Sequence, residues 1–252
     1  MPEIIAGALA LPGLEWVFAA AFVAGIVRGF SGFGTAMIFL PVASQVISPV
    51  WALIVIMVMD MIGPLPAIPR ALKDGHPRDL ARLFAGTFVA MPLGLAVLFA
   101  VDPEVFRLGV SVVTLVALAL LVAGVRYHGR LRPPAVYGTG AMAGFLGGAV
   151  GIPGPPVILL YMASPHPARV IRANITAYLF FFDVAMLFSF AVMGRLEGVA
   201  AGLGLVTALP YLAGNAVGWW LFRPSLEQLY RWVAYGVIAA SALSGLKSVF
   251  WG

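Results

Sequence analysis

Two carboxylates fall inside apolar runs long enough to lie in a membrane. Asp60 ends the run WALIVIMVMD, and Asp183 ends the run ITAYLFFFD. A carboxylate at membrane depth is energetically costly and by default serves a function, either as a proton carrier or as a hydrogen-bonding group of a cavity. Because both residues end their runs, the alternative is that each lies near a helix end and meets interfacial water.

One cation, Arg28, also falls within a hydrophobic segment, next to the stretch GFSGFG at 29–34. It could pair with an anionic substrate or with Asp60, or it could extend toward the outer surface with its aliphatic stem in lipid. Three further polar side chains fall in apolar segments: Asn174, Tyr178 and Asn215. They could donate hydrogen bonds to the oxygens of an anion, although such residues more often link helices.

Glycine and proline interrupt two apolar segments, at GFSGFG (29–34) and at GAVGIPGPP (148–156). Backbone that leaves helical geometry at membrane depth must be buried in protein or line a wet cavity, because lipid cannot satisfy its polar groups. Proline suits the first turn of a helix, so we predict half-helices that begin near Thr35 and Pro155. Helix N-termini favour anions, and the sequence therefore predicts an anion held between the two half-helix starts.

The predicted substrate site draws on both breaks and on the polar side chains near them. It comprises Ser31, Gly32, Phe33, Gly34, Thr35, Gly151, Ile152, Pro153, Gly154, Pro155, Arg28, Asn174 and Tyr178. Glycine and proline are also common in membrane helices that they only kink or allow to pack closely. For one isolated motif, a role in packing or kinking is as well supported as an anion site. Two matched motifs favour the anion site.

The two interrupted segments look like copies of each other. A shift of about 119 residues aligns the glycines of the first with those of the second: Gly25 with Gly144, Gly29 with Gly148, and Gly32 with Gly151. After a short insertion Asp60 falls on Asp183. We infer two repeats, at about 14–125 and 135–250, within a single membrane domain that spans 1–252.

The composition is that of an integral membrane protein, with 62% hydrophobic and 10% charged residues. Apolar segments fall at about 16–48, 50–69, 80–101, 105–125, 136–163, 170–193, 198–222 and 229–250. A continuous helix over the first would be roughly 50 Å long against a hydrocarbon core of about 30 Å. We therefore expect the first and the fifth segments to break or fold back.

The distribution of lysine and arginine predicts how the chain sits in the membrane. If the first and fifth segments re-enter on their own side, only Arg107, Arg195 and Lys247 fall outside, which satisfies the positive-inside rule best. Both termini then face outward, and the second repeat is inverted relative to the first. The net charge of +5 lies mainly in short loops, so we expect lipid and a small anion as partners and no nucleic acid.

One motif allows an intramembrane enzyme as an alternative to a transporter. Gly-Phe-Ser-Gly at 29–32 resembles the nucleophile motif of rhomboid proteases, but a serine nucleophile needs a base within reach. The histidines, His76, His128 and His166, all fall in predicted loops, and we expect no buried metal site from them. The chain has no cysteine, which excludes disulfides and thiolate sites, and we expect no cofactor and no enzymatic activity.

Three stretches resemble the paired motifs of the TauE/SafE sulfite exporter family, also called the toluene sulfonate uptake permeases. They are GIVRGFSGFGTAMIFLP, GFLGGAVGIPGPPVILLYM and RVIRANITAYLFFFD. The first differs from the family's common glycine triplet by having Phe33 between Gly32 and Gly34. The resemblance implies a secondary transporter of sulfite, sulfoacetate or another organosulfonate in a prokaryotic inner membrane.

The sequence thus predicts an all-α polytopic membrane protein of two inverted repeats. Each repeat has a broken or re-entrant first helix pair followed by three transmembrane helices. The expected mechanism is alternating access, possible proton coupling being assigned to Asp60 and Asp183. A gated anion channel and a membrane protein that only supports assembly stay open as alternatives, as does the oligomeric state.

Overall fold

The computed structural model describes residues 11–124, 131–162, 164 and 166–250. Over these ranges the secondary structure is entirely helical. The α-helices are α1 (Leu14–Ser31), α2 (Thr35–Val46), α3 (Pro49–Ile62), α4 (Ile68–Asp74), α5 (Pro77–Ala100), α6 (Pro103–Val122), α7 (Pro133–Val150), α8 (Gly154–Met162), α9 (Ala168–Val192), α10 (Gly198–Leu221) and α11 (Glu227–Phe250). His128 and both chain ends lie outside the described residues.

Both predicted breaks are confirmed. Helix α1 ends at Ser31, and Gly32 and Gly34 then take left-handed backbone angles (φ 77° and 97°) before α2 begins at Thr35. Helix α7 ends at Val150 and is followed by Gly151 at φ 73°. Helix α8 begins at Gly154, one residue before the predicted start. Glycine adopts these angles without the steric penalty of a side chain, which is why the helices end where they do.

Among the described helices, five are long and apolar enough to span a membrane: α1, α5, α6, α9 and α10. Helix α3 and the segment Leu65–Asp74 together qualify as a sixth, bent by 50°. The bend falls in the run MIGPLPAIP at 61–69, where a glycine and three prolines interrupt the helix. The chain is therefore a multi-pass membrane protein, with α7 and α11 as further long helices that do not meet the same criteria.

Glycines allow two helix pairs to approach backbone to backbone. A Cβ at Gly29 of α1 would lie 2.8 Å from the Trp219 nitrogen of α10, and one at Gly148 of α7 would lie 2.7 Å from the Met91 oxygen of α5. These distances leave no room for a side chain. The small-residue spacing noted in the sequence thus serves close packing, of α1 on α10 and of α7 on α5.

Helix α3 lies at the centre of the molecule, in contact with α2, α9 and α10. Its Leu53 and Ile54 are fully buried, as are Phe39 and Leu40 of α2. The outer faces of the long helices carry exposed apolar side chains, for example Trp220 of α10, as expected of surfaces that meet lipid. Because α3 is central, its last turn carries Asp60 into the interior.

Candidate functional site

A polar cluster lies where α1, α2, α3 and α10 meet. Arg28 Nη1 is 3.3 Å from Asp60 Oδ2 and 3.4 Å from Thr35 Oγ1. The Tyr211 hydroxyl donates to Asp60 Oδ1 and lies 3.4 Å from Thr35 Oγ1. The side chains of Arg28 and Asp60 are 15% and 13% exposed, while Thr35 and Tyr211 are buried. Of the pairings expected for Arg28, the structure therefore has the one with Asp60.

The ends of helices position these side chains. Arg28 is in the last turn of α1, where the Gly32 N–H donates to the Arg28 carbonyl at 2.8 Å. Thr35 is the first residue of α2, and Asp60 is in the last turn of α3. The N-terminus of α2 offers backbone N–H groups that have no partner within the helix, next to a guanidinium and two hydroxyl groups. Such a constellation can bind an oxyanion.

Asp183 of α9 lies within electrostatic range of this cluster. Its half-buried carboxylate interacts electrostatically with both Asp60 and Arg28. The two aspartates that the repeat alignment paired are thus close enough to interact electrostatically. One guanidinium faces two carboxylates in a low-dielectric interior, so one negative charge has no cationic partner in this cluster and can be compensated by a proton.

The first break is held together by Ser31. Its hydroxyl donates to the Val27 carbonyl at 2.6 Å and accepts from the Phe33 N–H at 3.3 Å. Among the described residues these bonds tie Ser31 to the backbone of its own break, an arrangement unlike that of a nucleophile activated by a base. Gly32 is exposed, and a Cβ there would meet open space.

The second break has apolar surroundings. Gly151 is buried against Leu53 of α3 and Leu40 of α2, whose side chains a Cβ at that position would overlap. Ile152, Pro153 and Pro155 are buried as well. Gly154 is half-buried, with Ile158 and Leu179 of α9 at ordinary van der Waals distance from a Cβ built there. The anion role of these residues stays a prediction.

Two of the other predicted polar residues, Asn174 and Tyr178, have hydrogen-bond partners elsewhere. Asn174 Oδ1 accepts from the His76 N–H at 2.7 Å, and the Tyr178 hydroxyl is 2.7 Å from Thr87 Oγ1. Asn215 lies one turn beyond Tyr211 on α10. Their proposed hydrogen bonds to a substrate are untested, and these partners link α9 to α5 and to the turn before it.

Sequence reasoning missed a basic cavity of about 550 Å³ between α4 and α9. Its lining residues are Ala67, Arg70, Ala71, Asp74, Ala168, Arg169, Arg172, Ala173 and Thr176. Asp74 lies 3.5 Å from Arg70 and 3.4 Å from Arg169. Asp183 is two helical turns, about 10 Å, beyond Thr176 on the same face of α9, so this face leads from the cavity to the carboxylates.

Comparison with known families places this geometry in context. A family model described as "Sulfite exporter TauE/SafE" matches residues 17–245, nearly the whole chain. The match takes in both breaks and both intramembrane aspartates. Comparisons with curated proteins and with solved structures found no match.

Proposed function

Since the chain belongs to the TauE/SafE sulfite exporter family, we propose that it is a secondary transporter of one small sulfur-containing anion, such as sulfite, sulfoacetate or another organosulfonate. The family is one of membrane exporters and not of enzymes. The observation that carries the proposal is the Arg28–Asp60 ion pair beside the N-terminus of α2, with Asp183 in electrostatic range of both. The membrane is taken to be a prokaryotic inner membrane.

The basic cavity supports entry of an anion. Three arginines, Arg70, Arg169 and Arg172, line it and raise the local concentration of negative ions at its mouth. Thr35 and Arg28, which are largely buried, supply a hydroxyl and a guanidinium for the oxygens of a sulfite or sulfonate group. The substrate thus moves from the basic cavity to a buried site that offers directional hydrogen-bond donors.

The paired carboxylates support coupling to protons. Bringing an anion to the cluster adds a negative charge next to Asp60 and Asp183, and a proton taken up at the same time offsets it. The anion and the proton would therefore bind together and leave together. Asp60 and Asp183 are negatively charged and would repel the anion. We therefore assign them to proton coupling and not to anion binding.

Helix packing supports two inverted repeats that move against each other. Helix α1 of the first repeat packs on α10 of the second, and α7 of the second packs on α5 of the first, as a two-fold axis in the membrane would require. Other matched pairs differ. In the repeat alignment α3 corresponds to α9, and α10 to α5. Helix α3 packs extensively on α10, whereas α9 touches α5 only slightly. The interface between α3 and α10 is therefore closed, and the equivalent interface between α9 and α5 is open. Alternating access exchanges these two arrangements.

Flux in proteoliposomes tests the proposal. The panel is sulfite, sulfoacetate, another sulfonate, sulfate and chloride, each with and without an imposed pH gradient. We expect saturable uptake of one sulfur anion that the proton gradient drives uphill. Flux that neither saturates nor runs uphill would identify a gated channel. Absence of flux, with no thermal stabilisation by any of these anions, would leave only a structural role.

Gly154→Leu is expected to abolish this flux while the protein still inserts and purifies. A Cβ at Gly154 makes only ordinary contacts, so the leucine is accommodated, but its isobutyl group fills the space at the start of α8. The matched control is Gly236→Leu on the exposed face of α11, where a Cβ meets nothing within 4 Å. Wild-type flux in Gly154→Leu would move the anion site away from the second break.

Cysteine labelling tests the predicted orientation, because the native chain contains no cysteine. Helix α9 has 25 residues and is about 37 Å long, enough to cross the membrane. Ala168→Cys and Leu196→Cys place exposed thiols at its two ends. A membrane-impermeant maleimide added to intact cells should label position 196 and spare position 168. The reverse pattern would contradict the model in which both termini face outward.

A further inference from the structure

Two histidines and an aspartate converge outside the anion site. His76 Nδ1 lies 3.2 Å from Asp79 Oδ2, and His166 Nε2 lies 3.3 Å from the same oxygen. All three atoms lie within 4.8 Å of one another. We propose that His76, Asp79 and His166 bind a divalent transition metal ion, with zinc as the best match.

The hydrogen bonding of His76 supports a cation at this point. The Asp79 N–H donates to His76 Nδ1 at 3.3 Å, so this nitrogen presents a lone pair and not a proton. Asp79 Oδ2, which is also an acceptor, lies 3.2 Å from the same nitrogen. Two acceptors at 3.2 Å repel each other unless a positive charge lies between them. A metal ion coordinated by both supplies that charge and takes the place of the weak bond from the Asp79 N–H.

The ligand set and its spacing fit zinc. Zinc bonds to imidazole nitrogen and carboxylate oxygen at about 2.0–2.2 Å, which in a tetrahedron separates the ligand atoms by about 3.3 Å. The separations of His76 Nδ1 and His166 Nε2 from Asp79 Oδ2, 3.2 and 3.3 Å, are near this value. The two imidazole nitrogens lie within 4.8 Å of each other, so an ion that binds both draws them together by rotation of the part-exposed histidine side chains. The fourth position is left for water.

Neighbouring residues orient the Asp79 carboxylate for metal binding. Asp79 is only 3% exposed, and its other oxygen, Oδ1, lies 3.4 Å from Arg82 Nη1. A partner of this kind orients a ligating carboxylate and leaves Oδ2 directed at the two imidazoles. The backbone of His76 is held in place too, since its backbone N–H donates to Asn174 Oδ1 of α9. Most of the geometry therefore exists before the ion binds.

The site joins the two halves of the chain. His76 and Asp79 begin α5, whereas His166 lies just before α9, whose Arg169 pairs with Asp74 at the edge of the basic cavity. An ion bound to all three residues therefore clamps the start of α5 to the segment before α9. Metal binding itself does not depend on the transport proposal. If the protein is a transporter, bound zinc should keep the start of α5 and the segment before α9 together, and so oppose any movement between them.

Cobalt binding to the purified full-length protein in detergent tests the site. We expect Co²⁺ to give visible absorption bands of a tetrahedral complex, at one ion per chain, and zinc to displace it. His166→Gln and His76→Gln should each weaken binding at least about 100-fold, since each removes a direct ligand. Zinc should raise the unfolding temperature of the wild type and not that of these variants, and the thermal unfolding transition of each variant without zinc shows that it is folded.

Two controls make the outcome decisive. Asp102→Asn changes an exposed carboxylate at the start of α6 and should leave the cobalt spectrum unchanged. His128→Gln replaces the remaining histidine of the chain and should also leave it unchanged. No tetrahedral spectrum in the wild type, or equal binding by His166→Gln, would overturn the proposal. If cobalt binds but no anion is transported, the metal site stands and the transport proposal alone fails.

Discussion

Asp183→Asn should abolish proton-driven accumulation of the anion while leaving downhill anion exchange. Asparagine has the shape and polarity of aspartate, so it fits the half-buried position of Asp183 without introducing a new shape or an apolar group. It cannot exchange a proton, however, and the pH gradient then has no carrier. We expect uphill uptake to fall at least about tenfold, with counterflow of preloaded substrate largely retained.

The comparison with Asp60→Asn separates coupling from structure. Asp60 bonds to Arg28 and accepts from Tyr211, so its neutral replacement leaves a largely buried guanidinium without its ionic partner. Asp60→Asn should therefore lower the unfolding temperature as well as uphill uptake, whereas Asp183→Asn should lower uptake alone. Asp102→Asn serves as the exposed control. Wild-type accumulation by Asp183→Asn would remove that residue from the coupling mechanism.

Two neighbouring glycines of α7 should respond to alanine in opposite directions. A Cβ at Gly140 would overlap the Leu83 carbonyl oxygen of α5, and backbone cannot rotate away as a side chain can. We expect Gly140→Ala to destabilise the protein by about 1–3 kcal/mol. Gly138, two residues earlier, is exposed, and a Cβ there meets nothing within 4 Å. Gly138→Ala should be neutral or stabilise by up to about 1 kcal/mol.

Thermal unfolding in detergent, followed by loss of the monodisperse peak on size exclusion, measures this pair of variants. The comparison is well matched because the same methyl group is added to the same helix. Equal unfolding temperatures would mean that α7 and α5 do not approach as closely as the structure has it. Flux of Gly138→Ala should equal that of the wild type.

Local chemistry explains which parts of the molecule could be predicted. The two breaks follow from glycine and proline themselves, so their positions were found to within a residue at Thr35 and Gly154. The pairing of Arg28 with Asp60 was also among the expected alternatives, since charges in a membrane seek partners. The repeat alignment of Asp60 and Asp183 fits their proximity in the structure.

Features that depend on distant parts of the chain could not be predicted. Tyr211 meets Asp60 only because α10 packs on α1 and α3, and no spacing in the sequence distinguishes it from other tyrosines. His76 and His166 were expected in separate loops, and they do lie outside helices, but the fold brings those loops together around Asp79. The basic cavity likewise arises from the bend between α3 and α4, which turns Arg70 toward α9.

The contact of α1 with α10 bears on how the chain is made. Helix α1 leaves the ribosome early, and its glycine face, at Gly25 and Gly29, has no protein partner until α10 has been synthesised and inserted. Helix α7 differs, because its partner α5 has already been synthesised when α7 is inserted. The first half therefore enters the bilayer as loosely associated helices, and the second half completes both interfaces. Tertiary assembly of this protein is in this sense a late event, set by the arrival of the C-terminal half.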